Sequence, residues 1–475
     1  MLETDKNTLH SLFNAQKEAY IKHPYPSLTS RINAIKTIKK ILLTHKNEIL
    51  NALNDDFGFR DQNESIITEV LPSISNINYV LKHLPEWLEP EKRHVSLLHW
   101  PAKNYVFYQP KGIIGIIVPW NYPLILAIIP IVYALASGNS VMVKLSEYSK
   151  NLEHILIKLF SQYFAKEKLI FIEGGIETAK VFSQLPFDHL FFTGSTEVGK
   201  AVMRNAAENL TPVTLELGGK SPVIIAKNIN NKQLKKAIKS ILFAKYLNSG
   251  QTCIAPDYLY VPKEKLDEII SLFKASYQKF LNQGKNKEKI TSLIHQKHYQ
   301  RIQNLLYDEK INSDQIKTLS IENNKNSDNN LRQLELQLVI NPNNNSQLMK
   351  EEIFGPILPI LTYEHLDDVI SYINQNNRPL SLYFYGDKKT FKHILKQTHA
   401  GGLCFNEALM QIAQDDLPFG GIGHSGMGNY HSKEGFISFS HQKAIHQKGK
   451  ISFASLAYPP FGRFFHRLIL KLFLR

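Results

Sequence analysis

Gly112-Ile113-Ile114-Gly115-Ile116-Ile117-Val118, closed by Pro119, is a continuous apolar run, and the reading of the chain turns on it. A strand with one wet face alternates apolar and polar residues, whereas an unbroken run implies burial on both faces. Similar runs follow at Val141-Met142-Val143, Leu169-Ile170-Phe171-Ile172, Leu190-Phe191-Phe192 and Val213-Thr214-Leu215, with helical segments between several of them. The alternation predicts an α/β fold whose parallel sheet is covered on both sides. Ligands of such sheets bind beyond the carboxyl ends of the strands, so the loops after Val118, Val143 and Phe192 are the first places to look for chemistry. A second alternating stretch runs from 221 to about 425.

Outward from this core, residues 28–54 read as one amphipathic helix, with Ile32, Ile35, Ile38, Leu42, Ile49 and Leu53 near one face and Gly58 beyond its end. A second helix is predicted over about 63–88. His94–Leu98 and Tyr105–Tyr108, with Pro101 to Asn104 between them, read as a strand pair. Asn323–Asn330 and Asn341–Asn345 are polar and read as exposed loops.

The 475 residues allow two or three structural units, and 43% hydrophobic with 21% charged residues is a globular composition. Only Cys253 and Cys404 are present, which excludes a disulfide framework, fits a reducing, cytoplasmic setting and leaves no metal site in view. The start, Met1 to Lys6, lacks the apolar core of a secretory signal. A net charge of +14 would suit an anionic partner. The lysines are scattered over helical faces, though, and no nucleic-acid-binding signature accompanies them.

Four segments carry chemistry. Pro119-Trp120-Asn121-Tyr122-Pro123 follows an apolar strand and holds a carboxamide between two prolines; taken alone it reads as a turn asparagine. Phe192-Thr193-Gly194-Ser195 opens a helix running through Gly199-Lys200, a setting that admits a phosphate, although a lone glycine turn is a weak signal. Leu215-Glu216-Leu217-Gly218-Gly219 sets a carboxylate at a strand end, where burial would raise its pKa towards that of a useful base. Asn248-Ser249-Gly250-Gln251-Thr252-Cys253 puts one thiol among small residues after the helical stretch Ala237–Leu247, and a thiol with lowered pKa there would attack a carbonyl carbon. Cys404, in the apolar run Gly401–Phe405, reads as packing.

Together with Gly138–Lys144, Ser146-Glu147, Glu351–Pro356 and Leu417–Gly428, these segments resemble the aldehyde dehydrogenase superfamily over most of the chain. Lys245-Tyr246, Gly250–Tyr258 and Gly428-Asn429-Tyr430-His431 are similar to its class 3 branch, which includes fatty-aldehyde and coniferyl-aldehyde dehydrogenases. The resemblance implies a Rossmann-like cofactor domain (1–93 and 111–217), an α/β catalytic domain (218–435), a small β bridging element (94–110 with 436–450) that dimerises by strand exchange, and a basic tail (451–475). It also implies that Cys253 attacks the aldehyde, Asn121 holds the oxyanion and Glu216 activates water on the thioester. Lys144 and Glu147 would contact the adenosine ribose, Gly194, Ser195 and Gly199 the cofactor phosphates, and Trp120, Glu352 and Phe354 the nicotinamide end. The expected cofactor is NAD, with NADP also used in that branch; the expected product is a carboxylic acid from an aromatic coniferyl-type or a medium- to long-chain aliphatic aldehyde.

The chain departs from the family pattern at Leu145, where proline is usual, and in a longer Glu216-to-Cys253 interval whose extra residues fall in Lys227–Lys232. It also has Gln414-Asp415-Asp416 near the expected substrate entrance, where class 3 relatives often carry histidine. Two other functions compete: a coenzyme-A-acylating dehydrogenase, which Glu216 argues against, and a non-catalytic nucleotide-binding, membrane-associated scaffold, which would not need Asn121, Glu216 and Cys253 together. In the tail, Arg463, Arg467, Lys471 and Arg475 recur every fourth residue, gathering into one helical stripe opposite apolar residues. That helix either packs near the substrate mouth or lies peripherally on an anionic membrane, being too short and charged to span one.

Overall fold

The computed structural model describes residues 3–283, 290–319, 331–451, 455–456 and 458–474. The apolar runs form one six-stranded sheet in the order Gly426–Met427, Val213–Glu216, His189–Thr193, Ile113–Ile117, Ser140–Lys144, Leu169–Ile172. All neighbours are parallel except Gly426–Met427, which runs antiparallel along the edge. Both faces are covered, as continuous apolar strands require. Ile114, Ile116, Val141 and Val143 pack in one core with the helix Ile125–Ala136, while Ile113, Ile117 and Met142 pack in another with Leu9 and Phe13. The register aligns Ile117 with Lys144 and Phe192, and Thr193 with Glu216, so these strands end at a common edge.

A second sheet has seven strands in the order Ile316–Thr318, Gln337–Ile340, Ile357–Tyr363, Tyr258–Pro262, Pro222–Ile225, Ser381–Tyr385, Gly402–Phe405. Only its first edge strand is antiparallel. A third, antiparallel sheet joins Glu91–Arg93, Lys103–Pro110 and Ser440–Gln447 in that order.

Several sequence expectations need correction. The helix over 28–54 is two helices, Leu28–Thr44 and Lys46–Phe57, separated at His45 (φ −106°, ψ 21°). No glycine or proline marks the break, and the apolar positions on both sides enter the same core, so periodicity runs through it. The second helical run extends from Gln62 to Trp87 and contains a π turn at Ile66–Val70. The first strand of the pair is Glu91–Arg93 rather than His94–Leu98, and Leu97–His99 forms a 3-10 turn. That strand is wholly polar and gives no apolar signal; Glu91 accepts a hydrogen bond from Tyr108 Oη at 2.7 Å. The helix before the cysteine is longer than expected, Asn231–Tyr246, because Asn230 and Gln233 form a reciprocal capping box at its start. An unanticipated helix, Lys6–Lys22, is capped by Asp5 and buries Leu9 and Phe13. The Asn323–Asn330 loop lies outside the described residues.

In the tail, Phe464–Phe473 is helical, and Phe464, Leu468, Leu470 and Leu472 on it are exposed. Among the described residues, these four side chains are not covered by the rest of the chain. Among the described residues no helix is long and apolar enough to cross a membrane.

Candidate active site

After Tyr246 the chain takes three successive left-handed residues, Asn248 (φ 50°), Ser249 (φ 53°) and Gly250 (φ 74°). Such conformations persist only where the surroundings over-determine them. Here Asn248 Nδ2 donates to the carbonyls of Asn121 (2.8 Å) and Gln251 (3.2 Å), and Gln251 Nε2 donates to the Ser292 carbonyl (3.1 Å). Ser249 Oγ donates to the Thr291 carbonyl. A Cβ at Gly250 would stand 2.5 Å from the Gly355 carbonyl oxygen, so only glycine fits against the Glu351–Pro356 segment. The clamped loop delivers Cys253, half-buried, to a cavity wall.

That cavity, about 270 Å³, brings together Asn121, Glu216, Cys253, Glu352, Phe354 and Trp120, and Gly194 and Ser195 also line it. Glu216 ends the strand Val213–Glu216 opposite Gly426, and the Leu217 N–H donates to the Ser425 carbonyl at 3.0 Å. The late glycine-rich block thus grips the strand end from the side; a Cβ at Gly426 would lie 2.1 Å from the Leu215 carbonyl oxygen. Both carboxylate oxygens of Glu216 are buried without a hydrogen-bond partner, and burial pushes its pKa well above the usual carboxylate range.

Glu352 is likewise raised, to about 8, first by burial and then by the nearby charge of Asp257. A Cβ at Gly218 would sit 2.1 Å from Glu352 Oε2, so this glycine makes room for the carboxylate. Burial, then the charges of Glu352 and Glu216, push the Cys253 thiol up to about 12. The lowered thiol pKa that would favour attack is therefore absent in the free chain, because burial and two carboxylate charges all act to raise it.

Asn121 donates from Nδ2 to the Gln251 carbonyl at 3.2 Å, and a primary amide retains a second N–H. Trp120 meets Phe354 (5.3 Å between ring centres) and His298 (5.4 Å) edge-on. His298 Nε2 bonds the Phe354 carbonyl at 2.9 Å, and burial drops its pKa to about 3, keeping the ring neutral.

The other expected cofactor residues are placed differently. Ser195 caps the helix Thr196–Ala207 beside the cavity. Gly199, one turn into that helix, is where helix and strand approach closely: its Cβ would lie 2.7 Å from Leu217 Cδ2. Lys144 is 1% exposed, with its ammonium bound to Glu153 at 3.1 Å and to the Leu145 carbonyl. Neither Lys144, Glu147 nor Gly199 lines the cavity. Cys404 is buried, its thiol donating to Gln411 Oε1 at 2.6 Å, as packing predicts. Asp415 and Asp416 are tied to the helix Leu71–Trp87, where Ser75 Oγ donates to Asp415 at 2.7 Å and Tyr79 Oη donates to Asp416.

Sequence reasoning missed His298 and Arg301 in the lining, which sit in an ordinary amphipathic helix, Gln296–Leu306, with no local motif. The residues present suit a nicotinamide dinucleotide. The unpartnered Oε1 of Glu352 can accept from ribose hydroxyls, and the helix start behind Ser195 presents N–H groups to phosphate.

Comparison with known proteins supplies an independent line. The profile described as "Aldehyde dehydrogenase family" matches residues 2–445. The chain is 42% identical over 470 residues, 99% of its length and 97% of the relative's, to a Pseudomonas aeruginosa protein named "Probable coniferyl aldehyde dehydrogenase". It is 34% identical to aldehyde dehydrogenase family 3 member A2 of Macaca fascicularis, over 94% of this chain and 92% of that one. Among solved structures, substrate-bound Staphylococcus aureus AldH superposes with a TM-score of 0.91 at 34% identity, covering 98% of this chain and 99% of that one. A Mycobacterium tuberculosis aldehyde dehydrogenase complexed with NAD+ gives 0.82 at 26% identity, covering 94% and 91%.

Proposed function

This chain belongs to the aldehyde dehydrogenase family, in its class 3 branch, and oxidises an aldehyde with a nicotinamide cofactor; from that premise we propose that Cys253 is the nucleophile, Asn121 the oxyanion donor and Glu216 the base. The observation that carries the proposal is the convergence of an unpartnered carboxylate, a thiol and a carboxamide on one cavity. Cys253 sulfur bonds to the carbonyl carbon while its proton passes to Glu216, whose raised pKa makes its carboxylate a stronger base. The resulting thiohemiacetal oxyanion is held by the free N–H of Asn121 and the Cys253 backbone N–H. The nicotinamide that Glu352, Phe354 and Trp120 would hold would supply the hydride acceptor for this step. Glu216 passes the thiol's proton to solvent before hydrolysis, then takes a proton from the water that attacks the thioester and returns it to sulfur as the C–S bond breaks, so that acid leaves and the thiol re-forms. A coenzyme-A-acylating enzyme would not need this buried base, and a scaffold would need none of the three. Cys253→Ala should abolish NADH formation while still binding NAD; retained turnover would refute the assignment.

Glu352, Phe354 and Trp120 hold the nicotinamide end, Gly194, Ser195 and Gly199 shape the phosphate turn, and Lys144 with Glu147 serves the adenosine ribose. That last role requires Lys144 to share its ammonium with Glu153. NAD is the cofactor preferred, with NADP accepted. The substrate is an aromatic, coniferyl-type aldehyde, a reading supported by the name of the Pseudomonas aeruginosa relative. A kcat/KM comparison of coniferyl aldehyde with decanal, under NAD and under NADP, tests both choices; a decanal preference would transfer the enzyme to the aliphatic class.

The six-stranded sheet is the core of the cofactor domain, the seven-stranded sheet that of the catalytic domain, and the three-stranded sheet bridges protomers of a homodimer. Among the described residues, its strand Ser440–Gln447 lies at the sheet edge with mostly exposed side chains, which supports exchange with a second copy. The tail rests on an anionic bilayer surface: Phe464, Phe465, Leu468, Leu470 and Leu472 of the helix Phe464–Phe473 are exposed, beside Arg463, Arg467 and Lys471.

A further inference from the structure

Arg60 and Glu69 form an ion pair at 2.6 Å with both side chains 0% exposed, yet neither lines the cavity. A buried pair of this kind seldom stabilises a fold more than well-packed apolar residues would, so its presence calls for another account. Its contacts converge on one short segment. Arg60 Nη1 reaches the carbonyl oxygen of Asn121 at 3.4 Å, and the guanidinium lies 4.8 Å from the centre of the Tyr122 ring. The second oxygen of Glu69 accepts from the N–H groups of Leu124 (2.7 Å) and Ile125 (3.2 Å), at the start of the helix Ile125–Ala136. A carboxylate there complements the positive end of the helix.

From the other side, the same segment is tied to the cysteine loop. Asn248 Nδ2 shares the Asn121 carbonyl with Arg60, and Tyr122 Oη bonds Thr252 Oγ1 at 2.9 Å. Glu69 itself lies in the π turn Ile66–Val70, a widened turn of the kind found disproportionately at functional sites. Arg60 Nη2 is further fixed by Thr68 Oγ1 at 3.1 Å, from the same turn. The peptide of Asn121 is therefore held between the buried ion pair and the loop that carries Cys253.

We infer that Arg60 and Glu69 are positioning residues that fix the Asn121 peptide and so aim its carboxamide at the oxyanion formed on Cys253. The inference rests on the reading of Asn121 as oxyanion donor. The pair does not line the cavity, and its effect on the reaction passes through Asn121. Misplacing a group by about 1 Å from outside the site can cost about 100-fold in rate.

A double-mutant cycle tests this on the full-length enzyme, reading the single-turnover rate of NADH formation from coniferyl aldehyde. Arg60→Met combined with Glu69→Gln removes both charges together, leaving no orphaned ion, and should slow that rate about 100-fold with NAD affinity unchanged. In an Asn121→Ala background the same pair of changes should add almost nothing. Arg60→Lys, which keeps the charge but lacks the planar fork, provides a second variant if the doubly neutral one does not fold; it should show a smaller slowing that also vanishes in the Asn121→Ala background. Equal slowing in both backgrounds, or no slowing in a folded variant with Asn121 present, overturns the inference while leaving the oxyanion reading intact. An Asn121→Ala enzyme that is as fast as wild type overturns both.

Discussion

Glu216 and Glu352 each keep a buried carboxylate oxygen without a partner, both are raised in pKa, and both charges bear on the Cys253 thiol. Their effect on pH behaviour can be given a sign. A carboxyl whose pKa is higher folded than unfolded contributes stability below the unfolded value, and that contribution is lost as pH rises through the folded value. For Glu352 this window runs from about 4.5 to about 8. Calorimetric melting across that range should show wild type losing stability that Glu352→Gln retains; parallel curves would show that Glu352 is not so perturbed. Turnover should follow the opposite limb for Glu216. Ionisation makes it a base, so kcat should rise with pH through a value above the ordinary carboxylate range, and that limb should disappear in Glu216→Gln. The candidate residues Asn121, Glu216 and Cys253 were legible because each sits in a short segment with a family likeness. Arg60, Glu69 and His298 were not, because each acts through contacts distant in sequence and has no motif around it.

Among the elements, the cysteine loop depends most on backbone geometry. Gly250→Ala would force a side chain into a left-handed residue and against the Gly355 carbonyl. It should cost about 1–3 kcal/mol in a urea melt, with a fall in kcat as the loop shifts; an unchanged melt would mean that the loop relaxes freely. The tail helix makes a separate prediction. Full-length protein should co-sediment with vesicles rich in anionic lipid, less so as salt is raised, and removal of residues 461–475 should abolish this. Unchanged sedimentation of the shortened chain would eliminate the tail as the contact. Elements were legible where apolar runs and periodicity were strong, as in the strands Ile113–Ile117 and His189–Thr193. The break at His45 and the strand Glu91–Arg93 were hidden because neither interrupts nor supplies an apolar pattern.

For the whole molecule, the cavity lies where the six-stranded sheet ends in Thr193 and Glu216, and the cysteine loop that lines it leads into the strand Tyr258–Pro262 of the seven-stranded sheet. That arrangement lets a single cavity hold the groups for attack, charge stabilisation and hydrolysis. Analytical ultracentrifugation should give the mass of a dimer, and charge-reversing changes along the exposed edge Ser440–Gln447 should shift it towards monomer; a monomeric wild type would rule out strand exchange. The central claim, an acyl intermediate on Cys253 resolved by Glu216, is tested most directly by mixing Glu216→Gln enzyme with coniferyl aldehyde and NAD and following NADH and peptide mass together. One NADH per active site, followed by a stall and a feruloyl mass increase on the peptide containing Cys253, is the predicted result. Continued turnover without an adduct, or an adduct on Cys404 instead, would contradict it.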